Sequence, residues 1–445
     1  MKSPKEQPLH TRRQFLRTSV LGGALAHTVP LFLEKTFLTL DAMAASTSGQ
    51  YATGKDSTIL VVLQLAGGND GINTFVPYGD DAYYKARPTI HLPNKEILRI
   101  SDYAGLHPEL TGLRDLYGAG HLGIVQGVGY PNPNRSHFRS TEIWQTASDS
   151  NRNESRGWLG RYFDSCCSGA DPATVGVAIS GQTPQAFASP SPKGVAFANP
   201  EQFRYMSESA GNPKEAERLM REMNAPESDS PSMSGPNDGG SIGMISGKVD
   251  KEGSTVDFLQ RTALGAEMSS DQILKITRKT KSSVNYPTTQ LGNSLNLVAR
   301  LIAGGLPTRV YYVSQGGFDT HANQLPSHSG LMKDLNAGIA SFVADLKAQG
   351  NFDRVLMVSF SEFGRRVSEN ASGGTDHGAA APMFVLGGGV KPGLYGAYPS
   401  LTDLYQGDLK FNTDFRSVYA TALEKWLGAP SEMVLGKKFP ILPYI

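Results

Sequence analysis

The chain has 445 residues, which is enough for one large domain or two ordinary ones. Its 42 basic and 41 acidic residues leave a formal net charge of +1, so the composition gives no support for nucleic acid or an anionic membrane surface as a partner. The two cysteines, Cys166 and Cys167, are adjacent, and a bridge between neighbours strains the peptide between them, so we expect a fold that does not depend on disulfides.

The first segment of the chain has the pattern of an export signal. Residues 11–17 (TRRQFLR) place a pair of arginines after a polar residue and before two apolar residues and a further base, which is the order of a twin-arginine signal. A short apolar run at residues 20–26 and the small residues at 42–44 (AMA) complete the pattern of a cleaved leader. We therefore predict a signal peptide over residues 1–44, with the twin-arginine translocase as a partner during export. The mature chain is expected in the periplasm or outside the cell, with no stable membrane span. Because this route carries folded proteins, it favours a cofactor bound before export.

Five continuous apolar runs follow, and they lack the alternation of a half-exposed strand. Such runs are buried on both faces, which is typical of a mainly parallel sheet between layers of helices. The runs are Ser57–Leu65, Leu122–Val128, Arg309–Ser314, Arg354–Ser361 and Pro382–Leu386. Helical patterns lie between and after them at Pro108–Tyr117, Ser136–Thr146, Trp158–Cys166, Thr288–Ala303, Leu331–Lys347 and Thr413–Leu427. The alternation predicts an α/β fold for residues 45–445, a three-layer sandwich with a mainly parallel central sheet.

The segment between about residues 200 and 280 stands apart from this alternation. Residues 225–247 are dominated by Asn, Pro, Ser, Asp and Gly, a composition that is typical of a flexible surface loop. We predict that this loop interrupts a helical insertion on the sheet domain.

Polar residues gather where the strand candidates end. In a parallel sheet these carboxyl ends line one edge, where ligands bind in α/β folds. We therefore expect the residues after the strands to converge, together with an acid–imidazole pair that precedes the last strand. They are Asn69 and Asp70 after the first strand, Asp319 and His321 after the third, Glu362 after the fourth, and Asp376 and His377 before the fifth.

These side chains predict a divalent metal site. Carboxylates and neutral imidazoles are ligands of zinc, manganese or iron, and carboxylates gathered without a cation would repel one another and raise each other's pKa values. We expect one or two ions, zinc first, with manganese or calcium as alternatives. His328, near the start of the following helix, is an additional candidate ligand or a support for one. The main predicted ligands are Asp70, Asp319, His321, Glu362, Asp376 and His377.

Each position also has a local interpretation. Asp70 fits an Asx turn in a Gly-rich loop, Asp319 fits a helix cap, and His377 would satisfy neighbouring backbone groups. The metal interpretation rests on the repetition of the pattern at several strand ends.

A candidate nucleophile lies in residues 130–139 (YPNPNRSHFR), which follow the second strand and open a helix. A hydroxyl at a helix N-terminus faces exposed N–H groups and the positive end of the helix dipole, which together attract anions. Beside a metal, Ser136 would attack the phosphorus or sulfur of an ester, while Arg135 or Arg139 holds the ester oxygens.

Other roles for the same region stay open. Ser136 would be only a helix cap if it has no chemical role, and Asn134 competes for that position. If water attacks in place of the serine, His137 or Glu362 would be its base. Asn69, in the loop after the first strand, is a further candidate for contact with the substrate.

Six segments carry a resemblance to a known family. They are LVVLQLAGGNDGINTFVPY, NRSHFRSTEIW, GWLGRYFD, GGFDTHANQ, FSEFGRR and TDHGAAAPMFVLGGG. With the twin-arginine leader they make the chain similar, over essentially its whole mature length, to the bacterial family called domain of unknown function 1501. That family resembles in turn the alkaline phosphatase and sulfatase superfamily, whose members use two metal ions and a Ser, Thr or modified Cys nucleophile on a parallel sheet. The resemblance implies an alkaline-phosphatase-like fold for residues 45–445.

Carried over by order along the chain, the resemblance implies roles for several residues. Asp70 matches the first aspartate ligand, and Ser136 falls near the nucleophile. The pair Asp319 and His321 resembles a later aspartate–histidine pair of ligands. The usual spacing of that pair is longer, which makes His328 the alternative to His321.

The superfamily's Asp-His-Gly motif has two matches in this sequence. Glu362-Phe363-Gly364 stands in its place after a strand, but Phe363 cannot bind a metal. Asp376-His377-Gly378 has the motif literally, so His377 is a ligand on either interpretation. If Phe363 replaces a histidine, either His137 takes over its role or the site holds a single metal.

Three functions follow as hypotheses. The first is an exported metal-dependent hydrolase of phosphate or sulfate esters, acting on a small molecule or a polysaccharide, with Ser136 as nucleophile. The second is an exported, non-catalytic metal- or anion-binding protein of the same fold, acting on surface polysaccharide, and the third is a transferase of phospho-groups. The first places one metal on Asp319, His321 and His377, and a second at Asp70 and Glu362.

Overall fold

The structure is a computed structural model that describes residues 57–166, 175–190, 194–202 and 270–445. The predicted signal peptide, Cys167, and the greater part of the predicted insertion with its loop at 225–247 lie outside these residues. Within the described ranges, no helix has the length and apolar character needed to cross a membrane.

The strands within the described residues vary in length from two to eight residues. They are β1 Ile59–Leu65, β2 Phe75–Val76, β3 Leu98–Arg99, β4 Gly105–Leu106, β5 Leu122–Gly129, β6 Gly176–Ala178, β7 Gly194–Ala196, β8 Val310–Gln315, β9 Val355–Phe360, β10 Ala381–Gly387, β11 Gly393–Tyr395, β12 Leu404–Tyr405, β13 Asp408–Leu409 and β14 Thr413–Asp414.

The α-helices with described bounds are α1 Gly71–Thr74, α2 Asp81–Ala86, α3 Thr111–Gly118, α4 His137–Thr146, α5 Trp158–Cys166, α6 Gln290–Ala303, α7 Gln324–Ala348, α8 Phe415–Thr421 and α9 Ser431–Leu435. Residues 270–279 are also helical. Single turns of 3₁₀-helix lie at Asn94–Glu96, Gln185–Phe187, Pro200–Gln202 and Phe352–Arg354, and a π-helical turn covers Ala422–Trp426.

The central sheet has the strand order β11-β5-β10-β9-β1-β8-β6-β7, with β14 paired to β5. Its pairings are parallel except those of β10, which runs antiparallel to both β5 and β9. The predicted α/β fold with a mainly parallel central sheet is therefore confirmed. Because β10 is reversed, it begins at the edge where the parallel strands end. The segment before β10 reaches the same edge as the loops after β1, β8 and β9.

Strand β1 shows why continuous apolar runs build this sheet. All of its residues are buried. Ile59, Val61 and Leu63 pack into one core with α3, α6 and α7, whereas Leu60 and Val62 pack into a second core with α4, α5, α8 and α9. Burial of each such side chain contributes about 1.5–3 kcal/mol relative to an exposed position. Helices thus cover both faces of the sheet, which gives the predicted three layers.

Some predicted elements differ from the observed ones. The helix predicted at Leu331–Lys347 begins earlier, at Gln324. Pro326 lies in its first turn, where the missing N–H has no helical partner to lose, and the N–H groups of Asn323 and Gln324 donate to the loop before β10. The helix predicted at Thr413–Leu427 divides into β14, α8 and the π-helical turn. Strands β6 and β7 were not predicted because three residues carry too little periodicity.

Candidate metal centre

The candidate site lies at the edge of the sheet where β5, β1, β8 and β9 end and β10 begins. An isolated β-bridge joins Arg365, in the loop after β9, to His377, in the segment before β10. Asp319 and His321, in the loop after β8, reach the same place, and His137 reaches it from the first residue of α4. The structure therefore brings together residues that are up to 240 positions apart, as expected of strand ends that share one edge.

We call His137, Asp319, His321 and His377 the metal-centre cluster. The Nε2 atoms of His321 and His377 lie 2.9 Å apart. Asp319 Oδ1 lies 3.0 Å from Nε2 of His321 and 3.2 Å from Nε2 of His377, and Asp319 Oδ2 lies 3.5 Å from Nε2 of His137. The side chains of Asp319 and His321 are 49% and 44% exposed, so solvent and small molecules reach the cluster.

The position of the hydrogen on His377 is set by an acceptor. His377 Nδ1 lies 2.8 Å from the carbonyl oxygen of Arg135, which can only accept, so we assign the hydrogen of the neutral ring to Nδ1. The ring then presents a lone pair at Nε2, toward His321 and Asp319. His321 has a carboxylate oxygen beside each ring nitrogen, Asp319 Oδ1 at 3.0 Å from Nε2 and Asp376 Oδ1 at 3.5 Å from Nδ1.

His137 is oriented in the same way by Glu362. Its Nδ1 lies 2.9 Å from Glu362 Oε1, which also accepts the backbone N–H of Gly67 at 2.8 Å. The Nε2 atom of His137 is buried and makes no hydrogen bond. A carboxylate behind an imidazole is the usual way in which proteins orient a metal-binding histidine. Glu362, which the sequence places among the ligands, thus contacts His137 from behind the cluster.

Three imidazole Nε2 atoms and a carboxylate therefore converge, and those of His137 and His377 present lone pairs. Acceptor atoms at the observed separations of 2.9–3.2 Å repel one another unless a cation or a proton lies among them. The ligand atoms of His137, Asp319 and His377 lie within 4.8 Å of one another and fit one divalent ion, and His321 contacts two of these three residues. Imidazole nitrogens with a carboxylate oxygen are a donor set that zinc accepts.

Arg365 ties the surrounding loops together, a role that the sequence did not indicate. Its side chain is completely buried, and Nη2 donates to Asp319 Oδ1 at 2.7 Å. Burial opposes ionisation of Asp319, but the hydrogen bond and the charge of Arg365 outweigh it and lower the pKa of Asp319 to about 2. The remaining donors of Arg365 bind the backbone carbonyl groups of Gly67, Gly68, Phe318 and Thr375.

Asp70, predicted as a metal ligand, is not part of the metal-centre cluster. Its completely buried carboxylate lies 2.5 Å from the guanidinium of Arg87, which is also completely buried. It accepts a further hydrogen bond from Gln324 and bonds from the backbone N–H groups of Ile72 and Asn73 at the start of α1. With its lone pairs occupied by these donors, Asp70 is bound to an arginine where the prediction placed a metal.

Asn69 and His328 lie in the same buried interior. The side chain of Asn69 exchanges hydrogen bonds with Thr74 Oγ1 and lies 3.0 Å from Nε2 of His328. His328 is buried, which lowers its pKa to about 4. Neither side chain faces solvent, so the structure does not support Asn69 as a substrate contact or His328 as a ligand of the cluster.

Two further predicted residues have other partners. Asp376 is exposed, accepts a hydrogen bond from Asn370, and faces His321 from outside the cluster. Arg139 was expected to hold ester oxygens, but its guanidinium pairs with Glu142 and stabilises the loop after α4. The latter contacts are hydrogen bonds to the carbonyl groups of Asp149, Ser150 and Arg152.

Ser136 occupies the cap position of α4 without acting as a cap. Its side chain makes no capping hydrogen bond, and its own N–H is bound by the side chain of Asn134 at 2.8 Å. The residues on either side contact the cluster, since the Arg135 carbonyl binds His377 and His137 is a member. Ser136 is exposed, precedes His137 of the cluster in the chain, and lies at the positive end of the α4 dipole.

Comparisons with known proteins place this chain within a sequence family. Residues 121–434 match the profile of a family described as "Protein of unknown function (DUF1501)". No curated protein sequence matches the chain.

Several solved structures have a distant similarity to this one. A protein in the alkaline phosphatase superfamily from Vibrio parahaemolyticus is 8% identical, with a TM-score of 0.37 over 91% of this chain and 77% of that one. The PsFucS1 sulfatase from Pseudoalteromonas sp. is 10% identical, with a TM-score of 0.37 over 93% and 75% of the two chains. The alkaline phosphatase from the Antarctic bacterium TAB5 is 10% identical, with a TM-score of 0.31 over 76% and 95%.

Proposed function

The chain belongs to the DUF1501 family, and for this member we propose an exported hydrolase of phosphate or sulfate esters that uses one divalent metal ion. The observation that carries the proposal is the convergence of three imidazoles and Asp319, with His137 directly next in the chain to Ser136, whose side chain is exposed and makes no capping hydrogen bond. Hydrolysis of such esters needs a Lewis acid, a nucleophile and donors for developing negative charge. The cluster, Ser136 and the N-terminus of α4 supply residues suited to these tasks.

The ligand set favours a single ion, zinc first. His137, Asp319 and His377 supply three ligand atoms within 4.8 Å of one another, with His321 as the candidate for a fourth, whereas manganese and calcium prefer more oxygen donors. A second ion was predicted at Asp70 and Glu362, but Asp70 is bound to Arg87 and Glu362 to His137. The ring of Phe363 also packs against His137 and His377, with centroids 4.9 and 4.5 Å away, and fills the space beside the cluster.

Different groups would have different tasks in the proposed reaction. When bound, the metal would polarise the ester and favour ionisation of a nearby hydroxyl. Ser136 would lose its hydroxyl proton and attack the phosphorus or sulfur, the bond to the alcohol of the ester would break, and the alcohol would leave with a proton. Water would then release phosphate or sulfate and restore the serine, while the N–H groups in the first turn of α4 stabilise the added negative charge. Glu362 keeps His137 in the tautomer that points its lone pair toward the site.

We expect Ser136→Ala to lower the turnover of aryl phosphate or sulfate esters by at least about a thousandfold, as loss of a nucleophile does. Metal content and melting temperature should stay those of the parent, because the Ser136 side chain caps nothing. The matched control is Thr289→Ala, which removes a cap that binds Gly292 N–H on α6. That control should cost about 1 kcal/mol of stability and leave turnover unchanged.

The outcomes of this experiment separate the hypotheses. Unchanged hydrolysis in Ser136→Ala would exclude the serine as nucleophile and assign the attack to water. A metal-replete parent that hydrolyses no ester in a panel of phosphates and sulfates would contradict the enzyme and favour a non-catalytic binding protein.

Export is a separate part of the proposal, supported by residues 11–17 (TRRQFLR). Replacing Arg12 and Arg13 with lysines should leave unexported precursor in the cytoplasm, because the translocase recognises the paired arginines. Fractionation of cells that produce the parent or the double variant measures this. Normal export of the parent by cells that lack the twin-arginine translocase would contradict the localisation.

A further inference from the structure

Two arginines share one buried carboxylate beside the metal centre. The guanidinium of Arg135 donates to Asp408 Oδ2 through Nε at 2.8 Å and Nη2 at 2.5 Å. Arg366 approaches the other oxygen, with Nε 3.6 Å from Asp408 Oδ1. Asp408 is completely buried, whereas the side chains of Arg135 and Arg366 are 35% and 38% exposed. Two partly exposed guanidinium groups thus approach one carboxylate that is buried.

The hydrogen-bonding capacity of this group is incompletely used. Arg366 Nε and Asp408 Oδ1 are both buried, and neither has a hydrogen-bond partner among the described residues. Arg366 Nε and Asp408 Oδ1 thus attract each other as charges without a hydrogen bond. A guanidinium carries five N–H donors in a planar fork that matches carboxylate, phosphate and sulfate oxygens. Arg366 has the donors and the solvent access to bind an anion while Arg135 keeps its bond to Asp408.

Both arginines are joined to the metal centre through the backbone. The carbonyl oxygen of Arg135 accepts from His377, and the N–H of Arg366 donates to the carbonyl oxygen of Asp376. Arg366 also follows Arg365, whose side chain holds Asp319. The backbone of both arginines is therefore hydrogen-bonded to Asp376 and His377, and His377 is a member of the metal-centre cluster.

Two exposed aromatic side chains lie close in sequence to Arg135 and Asp408. Phe138, three residues after Arg135, is 92% exposed, and Tyr405, paired with Asp408 across the β12–β13 hairpin, is 54% exposed. Large exposed aromatic groups beside charged donors are typical of a surface that binds a ligand with both a ring and a charge.

We propose that the substrate carries a second anionic group, which binds to Arg366 and Arg135 while the ester occupies the metal centre. This inference rests on the proposed function, because it assigns a substrate class to that site. Phosphorylated or sulfated compounds with two anionic groups on either side of a ring share the required chemistry.

The test is binding of two non-hydrolysable probes to the metal-loaded protein, measured by calorimetry. Phenylphosphonate carries one anionic group, and 1,4-phenylenediphosphonate carries a second across the ring, where it cannot chelate the same ion. The parent should bind the diphosphonate about tenfold more tightly than the monophosphonate, as expected of one additional charge-assisted interaction. Arg366→Gln should reduce that preference below about threefold.

Two further variants control for charge and for folding. Arg366→Lys keeps the charge but loses the planar fork, so it should retain part of the preference. Arg114→Gln removes an exposed arginine on α3 that pairs with Asp115 among the described residues. This variant should keep the whole preference. A parent with no preference for the diphosphonate, or a preference that persists in Arg366→Gln, overturns the inference. A parent that shows the preference but hydrolyses no ester contradicts the proposed function and leaves the anion site standing.

Discussion

Asp319→Asn is expected to remove the metal from the centre and abolish ester hydrolysis. Asp319 is the only carboxylate in the metal-centre cluster, and it contacts all three imidazoles. An amide has no negative charge to offset the cation, so we expect metal affinity to fall by more than about a hundredfold and kcat/KM by at least about a thousandfold. The fold should persist, because the amide oxygen can still accept from Arg365. Metal content after dialysis, measured by mass spectrometry, checks the first expectation.

Asp376→Asn is the matched control for this variant. Asp376 is also an aspartate of the region, but it faces His321 from outside and carries no ligand atom toward the cluster. We expect it to lower metal affinity by about tenfold, in the range measured for residues behind a ligand. Equal losses in the two variants, or full metal content in Asp319→Asn, would show that the ion is held elsewhere.

Asp70→Ala is expected to destabilise the protein strongly without acting on the metal centre. It leaves the completely buried guanidinium of Arg87 without its carboxylate. Breaking a buried pair in this way costs about 3–5 kcal/mol of unfolding free energy, measured by urea denaturation. The double variant Asp70→Ala/Arg87→Met should be more stable than Asp70→Ala alone, because it removes the unpaired charge as well.

Two comparisons make the Asp70 experiment decisive. Asp115→Ala breaks the exposed pair with Arg114 and should cost no more than about 1 kcal/mol. Folded Asp70→Ala protein should keep its full metal content, since Asp70 is bound to Arg87. Loss of metal from the folded variant would restore Asp70 to the ligand set that the superfamily resemblance implied.

The same pair gives a prediction on pH. Burial raises the pKa of Asp70, but the charge and hydrogen bonds of Arg87 outweigh it, so the pKa of Asp70 in the folded state lies below its ordinary value. A lowered pKa means that the stabilisation is present above the unfolded-state value of about 3.9 and is lost as the pH falls through the folded-state value. The melting temperature of the parent should therefore decrease as the pH drops below about 4. The melting temperature of Asp70→Asn should decrease less steeply over the same pH range. Parallel curves would contradict this linkage.

The sequence alone determined the architecture and much of the location of the site. The run Ile59–Leu65 has no polar face, so it must be covered on both sides, and a mainly parallel sheet between helices follows from that requirement. Residues after parallel strands share one edge, which is why the approach of the loop after β8, with Asp319 and His321, to the loop after β9 was predictable without coordinates. His377 reaches the same edge because β10 is reversed. Membership in the DUF1501 family was predictable from the same segments.

The role of each of these side chains depends on contacts that form only in the folded chain. Asp70 and Asp319 both follow strands, but Arg87 reaches the first, whereas the second lies among imidazoles. The ring nitrogens of His137 and His377 are assigned by Glu362 and by the Arg135 carbonyl, which lie more than 200 positions away in the chain. Local sequence pattern sets which residues end a strand, because it governs burial and backbone geometry. The partner of each charge or lone pair depends on which segments the packed helices and the reversed strand β10 bring within about 3 Å, and that distance exists only in the folded chain.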